Sequence, residues 1–279
     1  MGIVNNMTVH TNEFYHAAIK TAYPDSWNLR VPPVLGTVCP VFFCDTPTGT
    51  RVCRFSDYDI VFRNRRISHL MSLYDIPVPQ TQVHAYLDTW FESYDYCASP
   101  TFYECSVAGM SDADIFNVYK RATDIQHKIA DVPLADFNPG RRKYMYEVFS
   151  ATQKMRVHPV LAYVYGAVHR LFSTRGSVRV LHNDLNRKNI LVDDNLDVPR
   201  ILDLDAIALC NESFSVLMTL RTYPLTNISE YLDYYEDTME RKLNRPAIIG
   251  GLKILNAIRT PQVALNRVLW RGYNTPPTR

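Results

Sequence analysis

His182-Asn183-Asp184-Leu185-Asn186-Arg187-Lys188-Asn189, followed by Ile190-Leu191-Val192 and then Ile201-Leu202-Asp203-Leu204-Asp205, orders an acid, an amide and a second acid along the chain. Phosphoryl transfer asks for that set. A γ-phosphoryl group moves chiefly through positioning and charge neutralisation, so a site needs a carboxylate to orient the acceptor hydroxyl and take its proton, and oxygen ligands for Mg²⁺ on the phosphates. Asp184 follows the apolar run Val178-Arg179-Val180-Leu181 and is placed to be that carboxylate. Asn189 offers a neutral amide oxygen and Asp203 a charged one, a pairing that suits a hard cation retaining several waters. Ile190-Leu191-Val192 and Arg200-Ile201-Leu202 read as short strands around the polar turn Asp193 to Asp197, a hairpin that brings Asn189 and Asp203 to the same end. His182 reads as a brace that fixes the loop through both ring nitrogens. Asp203 and Asp205 alternate as strand residues do, so both point to one face, where both touch metal or one caps the strand end.

The pattern H-x-D-x-x-x-x-N, an apolar strand and an Ile/Leu-Asp strand end resembles the aminoglycoside phosphotransferase and choline kinase group, small-molecule kinases of the protein-kinase-like fold. The likeness extends upstream. Leu35 to Cys44 and Thr46 to Arg54 look like that group's first hairpin, with a phosphate-facing turn near Gly36 to Pro40. Arg54 falls where the group carries a basic residue directed at the nucleotide phosphates, a task within reach of a guanidinium. Leu70 to Leu73 and Ile76-Pro77-Val78-Pro79-Gln80 are similar to the helix and the Pro-x-Pro segment before the next strand. Tyr103 to Gly109 looks like the hinge, whose backbone groups, with Glu104 and Ser106 among them, read the adenine edge. The resemblance implies Asp184 as base, Asn189 and Asp203 as Mg²⁺ ligands, and Gly36, Arg54, Glu104 and Ser106 as the nucleotide-binding set. It covers about residues 34 to 216.

Two places depart from the group. Ile60 to Tyr74, read as a helix, contains no acidic residue where the group puts a Glu to hold the phosphate-binding base, and Arg65 or Arg66 occupies that region. At Asn211 to Val216 the group has an Asp supporting the catalytic loop, and Ser215 stands there instead.

Composition sets the frame. In 279 residues, 47% apolar, there is material for a sizeable core, and the chain is neither disordered nor membrane-spanning by pattern. A net charge of +2 with no long basic block gives no footprint for nucleic acid or a membrane surface. The six cysteines lack C-x-x-C spacing or a paired His motif and read as reduced core thiols. The start Met1-Gly2-Ile3-Val4-Asn5-Asn6 has no basic segment followed by a long apolar run, which makes the cytoplasm the expected location.

The fold expected is α+β and bilobal, with a small β-rich N-terminal nucleotide-binding lobe over residues 1–105 and a larger, mainly helical catalytic and acceptor-binding lobe over 106–279. Apolar stretches at Val83 to Phe91 and Thr101 to Cys105 add strands to the first lobe. Ser111 and Asp112 cap a helix with Ile115, Val118, Ala122, Ile125 and Ile129 on one stripe, and a second helical run spans Pro159 to Leu171. Tyr231 to Asp237, acidic and aromatic, reads as a solvated helix face, with recognition of a cationic acceptor as the alternative.

The function expected is transfer of the γ-phosphate of ATP or GTP, with Mg²⁺, to a hydroxyl of a sugar, amino alcohol or aminoglycoside-like compound. Asn183 and Asn186 replace the Arg and Lys that protein kinases carry around the base, and no Asp-Phe-Gly or Ala-Pro-Glu follows, which disfavours a protein substrate. The alternatives are a pseudokinase binding module and a D-x-D nucleotide-sugar transferase built on Asp203-Leu204-Asp205.

Overall fold

Successive side chains of a strand point to opposite faces, and strand β3 (Gly49–Ser56) uses this to bury Cys53 and Phe55 on one side while Arg54 faces the other. Everything around the candidate site follows from that division. The computed structural model describes residues 11–31, 39–140, 172, 178–221 and 228–255. Strands β1 (Trp27–Arg30), β2 (Val41–Thr46), β3, β4 (Gln82–Tyr86) and β5 (Thr89–Asp95) form an antiparallel sheet in the order β1-β2-β3-β5-β4. Helix α1 (Asn12–Ala22), capped by Thr11, lays Tyr15, Ala18 and Ile19 against Phe42, Cys44, Cys53, Phe55 and Phe91 on one sheet face. Helix α2 (Tyr58–Leu73) covers the face that carries Arg54.

A second core forms where α2 contributes Ile67 and Met71 to α4 (Asp112–Ala130), the paired strands β6 (Val178–His182) and β9 (Ile207–Asn211), α5 (Glu212–Leu220) and α6 (Ile228–Met239). Ser111 caps α4 by accepting from the Asp114 backbone N–H, and its apolar stripe is buried as the spacing predicts. Helix α5 has every residue buried, with Ser213, Ser215 and Thr219 among its polar members. The hairpin β7 (Ile190–Leu191) with β8 (Arg200–Ile201) pairs Ile190 with Ile201, and Asp193 closes its turn by accepting from the backbone of Asn195 and Asp197.

Three expectations are corrected. Val83 to Phe91 is not one stretch but the β4–β5 hairpin, turning at Leu87 with φ 53°. Thr101 to Cys105 is not a strand. Thr101 and Glu104 form a reciprocal capping box that starts helix α3 (Phe102–Val107), so the backbone expected to serve as a hinge is spent on the cap, on helical bonds and, at the Tyr103 N–H, on the Arg187 carbonyl. Asp203 and Asp205 do not alternate along a strand, because Asp203 adopts the left-handed conformation (φ 62°) and a 3₁₀ turn, Leu204–Ala206, follows. Gly36, the helix expected over Pro159 to Leu171 and the tail after Trp270 lie outside the described residues.

The stacked rings of Phe55 and Phe91, 4.7 Å apart with Phe91 fully buried, join β3 to β5 under α1, whose Tyr15 ring meets Phe55 at 4.6 Å. Phe91→Ala is expected to lower unfolding free energy by about 3–5 kcal/mol, read from urea denaturation, through lost transfer energy and a cavity that a sheet covered on both faces closes poorly.

Candidate active site

Strand β6 ends in the loop that carries Asp184, and the loop is held from three sides. The His182 ring is fully buried, with Nε2 2.7 Å from the Leu202 carbonyl and Nδ1 accepting from the Asp184 backbone N–H at 3.3 Å. That pattern fixes one neutral tautomer, and burial lowers the ring's pKa. The Asn183 amide nitrogen reaches the carbonyls of Leu181, Ala206 and Ala208, tying the loop to β9. From α5, the Ser215 hydroxyl donates to the His182 carbonyl at 3.5 Å and accepts from Gln126 of α4 at 3.3 Å. Ser215 therefore touches the loop at the position where the resemblance expects an Asp.

The Asp184 carboxylate accepts at Oδ2 from Asn186 (2.9 Å) and Asn189 (3.3 Å), while Oδ1 faces the guanidinium of Arg221 at 3.7 Å. Asn189 also donates to the Asp184 carbonyl at 2.8 Å, so its amide nitrogen is committed to the loop and its oxygen is left for a cation. The Leu202 backbone N–H donates to the Asn189 carbonyl at 2.7 Å, and the hairpin thus delivers Asn189 and Asp203 to the same end, as the spacing predicts.

Asp203 is pushed up to about 7 by burial and by the neighbouring charges of Asp205 and Asp184, against the pull of Arg54. With 38% of its side chain still open, it is partly hydrated. An exposed carboxylate crowded by like charges and beside a free amide oxygen suits a divalent cation, which would relieve the repulsion. Among the described residues no three His, Cys, Asp or Glu side chains form a metal cage. The fit is that of a site with two protein ligands, completed by water and phosphate oxygens, rather than a closed structural one.

Arg54 is the centre of the remaining charges. Its guanidinium contacts Asp205 through both nitrogens at 2.5 and 3.3 Å, Glu92 at 3.1 Å and Asp203 at 3.9 Å. Burial pushes Asp205 up, but Arg54 outweighs it and leaves the carboxyl below its usual range. From α2, Arg63 reaches the carbonyls of Leu204 and Asp205, both at 3.2 Å, and of Ile207 at 2.5 Å, which fixes the 3₁₀ turn behind Asp203. Arg65 and Arg66, expected in this region, are exposed, and the Arg66 guanidinium lies beside Gly140. Glu104 serves its own helix cap and Ser106 accepts from Arg187 at 2.7 Å, so both side chains are engaged within α3 and with the Asp184 loop.

Sequence reasoning missed Glu92, Asn64, Arg63 and Arg221. Glu92 carried a signal, an acid inside the apolar strand Thr89-Trp90-Phe91, but its partner depended on the β3–β5 register, which pairs Arg54 with Glu92. The acidic aromatic run of α6 is structural. Tyr231 and Tyr235 are buried, and Glu236 and Asp233 are bound by Arg245 at 2.8 and 2.6 Å.

A five-stranded sheet joined to a mainly helical unit, with an acid and an amide on the loop between β6 and β7 and a second acid just beyond β8, is the bilobal protein-kinase-like fold. It is the fold of the aminoglycoside phosphotransferase and choline kinase group. The GDP complex of wild-type aminoglycoside 2'-phosphotransferase-IIIa aligns at TM-score 0.64 and 14% identity over 87% of this chain and 87% of that one. Spectinomycin phosphotransferase in complex with ADP and spectinomycin aligns at 0.59 and 12% over 88% and 84%. A Plasmodium vivax ethanolamine kinase aligns at 0.53 and 13% over 82% and 71%. No protein-family model matches the sequence, and no curated protein matches it. No helix among the described residues is long and apolar enough to cross a membrane.

The unfolded chain takes up a proton on His182 near pH 6.5 that the buried neutral ring resists, so this residue's contribution to stability is intact above that pH and lost as pH falls below it. His182→Gln is expected to lose less of its urea midpoint than the wild type between pH 7.5 and 5.5, a comparison that equal losses would contradict.

Proposed function

We propose that this protein transfers the γ-phosphoryl group of ATP or GTP to a hydroxyl of a small molecule. The observation that carries the reading is the convergence of Asp184, Asn189 and Asp203 at one end of the β7–β8 hairpin, beside Arg54 from the sheet. Neighbours in fold with GDP or ADP bound support a purine nucleotide as co-substrate.

In this mechanism Asn186 and Asn189 hold one oxygen of Asp184, and Arg221 balances the charge on the other. The carboxylate orients the acceptor hydroxyl and takes its proton as the oxygen attacks the γ-phosphorus. The bond to the β-phosphate oxygen breaks, and the nucleoside diphosphate leaves. Asn189 and Asp203 would hold Mg²⁺, which supplies charge neutralisation on the phosphates when bound. Arg54 adds a second positive group at the junction of the sheet and the catalytic loop. With α3 engaged in its own helical bonds, the connection over residues 96–100 between β5 and α3 is the proposed place for the purine edge.

Two features weigh against the alternatives. The pseudokinase reading drew on the helix without an acid, and Glu92 supplies a carboxylate to Arg54 from the sheet. The D-x-D transferase reading needs Asp203 and Asp205 to share a cation, whereas Asp205 is bonded to Arg54 through both oxygens.

Asp184→Asn is expected to lower turnover on the best acceptor from a panel of sugars, amino alcohols and aminoglycosides by about 10²–10⁴-fold. Nucleotide affinity should stay near the wild-type value, and undiminished turnover would remove Asp184 from the role. Mg²⁺ with ATP or GTP should raise the melting temperature of the wild type. The rise should vanish in Asp203→Ala, so a mutant that keeps its shift would exclude Asp203 as a ligand.

A further inference from the structure

We propose that Glu92 is the residue that positions Arg54 for the nucleotide phosphates, from the sheet and with Asn64 of α2 completing its hold, an inference that rests on the phosphotransferase reading. Arg54 and Glu92 are directly opposed across the antiparallel β3–β5 pair and bond at 3.1 Å. On the other side of Glu92, the Asn64 amide donates to the same carboxylate oxygen at 2.9 Å. Glu92 and Asn64 are sealed from solvent, at 2% and 1% exposure. An acid on α2 would meet Arg54 from the helix side. That side holds the neutral Asn64, which bonds Glu92 on the sheet and also holds Asp205, so α2 reaches Arg54 through both carboxylates.

The arrangement divides the tasks of the two carboxylates that grip Arg54. Asp205 keeps 26% of its side chain exposed and sits where incoming phosphate oxygens would compete for the guanidinium. Glu92, behind the guanidinium and out of water, keeps its contact while that exchange takes place. The hold comes at a cost to the fold. Glu92 Oε2 has no hydrogen-bond partner among the described residues, and burial pushes the carboxyl up to about 7. Glu92 is thus a buried carboxyl held on one oxygen only, and a neutral Gln at position 92 would remove the cost of burying its charge and keep the shape. A group retained for packing would lower stability when neutralised, whereas one retained to aim a cation lowers ligand affinity instead.

The experiment measures melting temperature without ligand and binding of Mg²⁺-ADP by calorimetry, on wild type, Glu92→Gln, Asn64→Ala, Arg54→Ala and the Arg54→Ala/Glu92→Gln double variant. Glu92→Gln should melt no lower than wild type and bind Mg²⁺-ADP about ten- to a hundredfold more weakly, as loss of an orienting partner does at other charged sites. Asn64→Ala should weaken binding in the same direction by less. In the Arg54→Ala background, Glu92→Gln should add nothing, because the residue acts through Arg54. Unchanged affinity in Glu92→Gln overturns the proposal, as does an equal further loss in the double variant. Failure of Glu92→Gln to fold also overturns it, since the role is then structural. If the wild type itself binds no Mg²⁺-nucleotide, the phosphotransferase reading falls, an outcome separate from a wild type that binds and a Glu92 variant that binds equally.

Discussion

The bond between Arg54 and Asp205 joins the sheet to the turn that follows the second acid, and the rest of the site depends on it. Arg54 stands on β3 and Asp205 lies 151 positions later, on the 3₁₀ turn between β8 and β9. A guanidinium with five donors in a rigid fork can bind several carboxylates at once, which a lysine ammonium on a flexible stem does less rigidly. Here that fork links the buried Glu92 on β5 to the half-open Asp205 and Asp203. Arg63 completes the junction by taking two backbone carbonyls of the same turn and that of Ile207 at the start of β9, which leaves Asp203 in a left-handed conformation that an unsupported aspartate adopts less readily.

The loop that carries Asp184 has a different kind of support. His182, Asn183, Asn186 and Asn189 are each bonded within the loop or to the strands beside it, while Asn183 Oδ1 and Asp184 Oδ1 have no hydrogen-bond partner among the described residues. Few charges are involved, and the brace from α5 is a hydroxyl rather than a carboxylate. Ser215 can both donate to the His182 carbonyl and accept from Gln126, so a neutral residue performs a task the resemblance assigned to an acid. The loop is therefore held by hydrogen bonds, while the junction with the sheet is held by charge.

The local features of the site were legible because they are short-range. The order Asp184, Asn189, Asp203 and the intervening hairpin depend on residues within about twenty positions, and turn chemistry at Asp193 settles the register there. The α4 stripe and its Ser111 cap were legible for the same reason. Thr101 to Cys105 misled because a short apolar run does not distinguish strand from helix, and the reciprocal Thr101–Glu104 cap decided it. Asp203 and Asp205 misled because alternation implies a strand only where the backbone stays extended.

The sequence by itself determined the local set of groups: a carboxylate, an amide and a second carboxylate at spacings that a hairpin brings together, on a chain with enough apolar residues for two packed units. Only the tertiary structure decided which charges answer one another. The absence of an acid over Ile60 to Tyr74 looked like a loss, since sequence distance places Glu92 far from Arg54. Antiparallel pairing sets the two side by side on one face of the sheet, and α2 covers that face with Asn64 rather than an acid. Ion pairing depends on separation in space and on exclusion of water, and both are properties of strand register and helix packing that no local motif encodes.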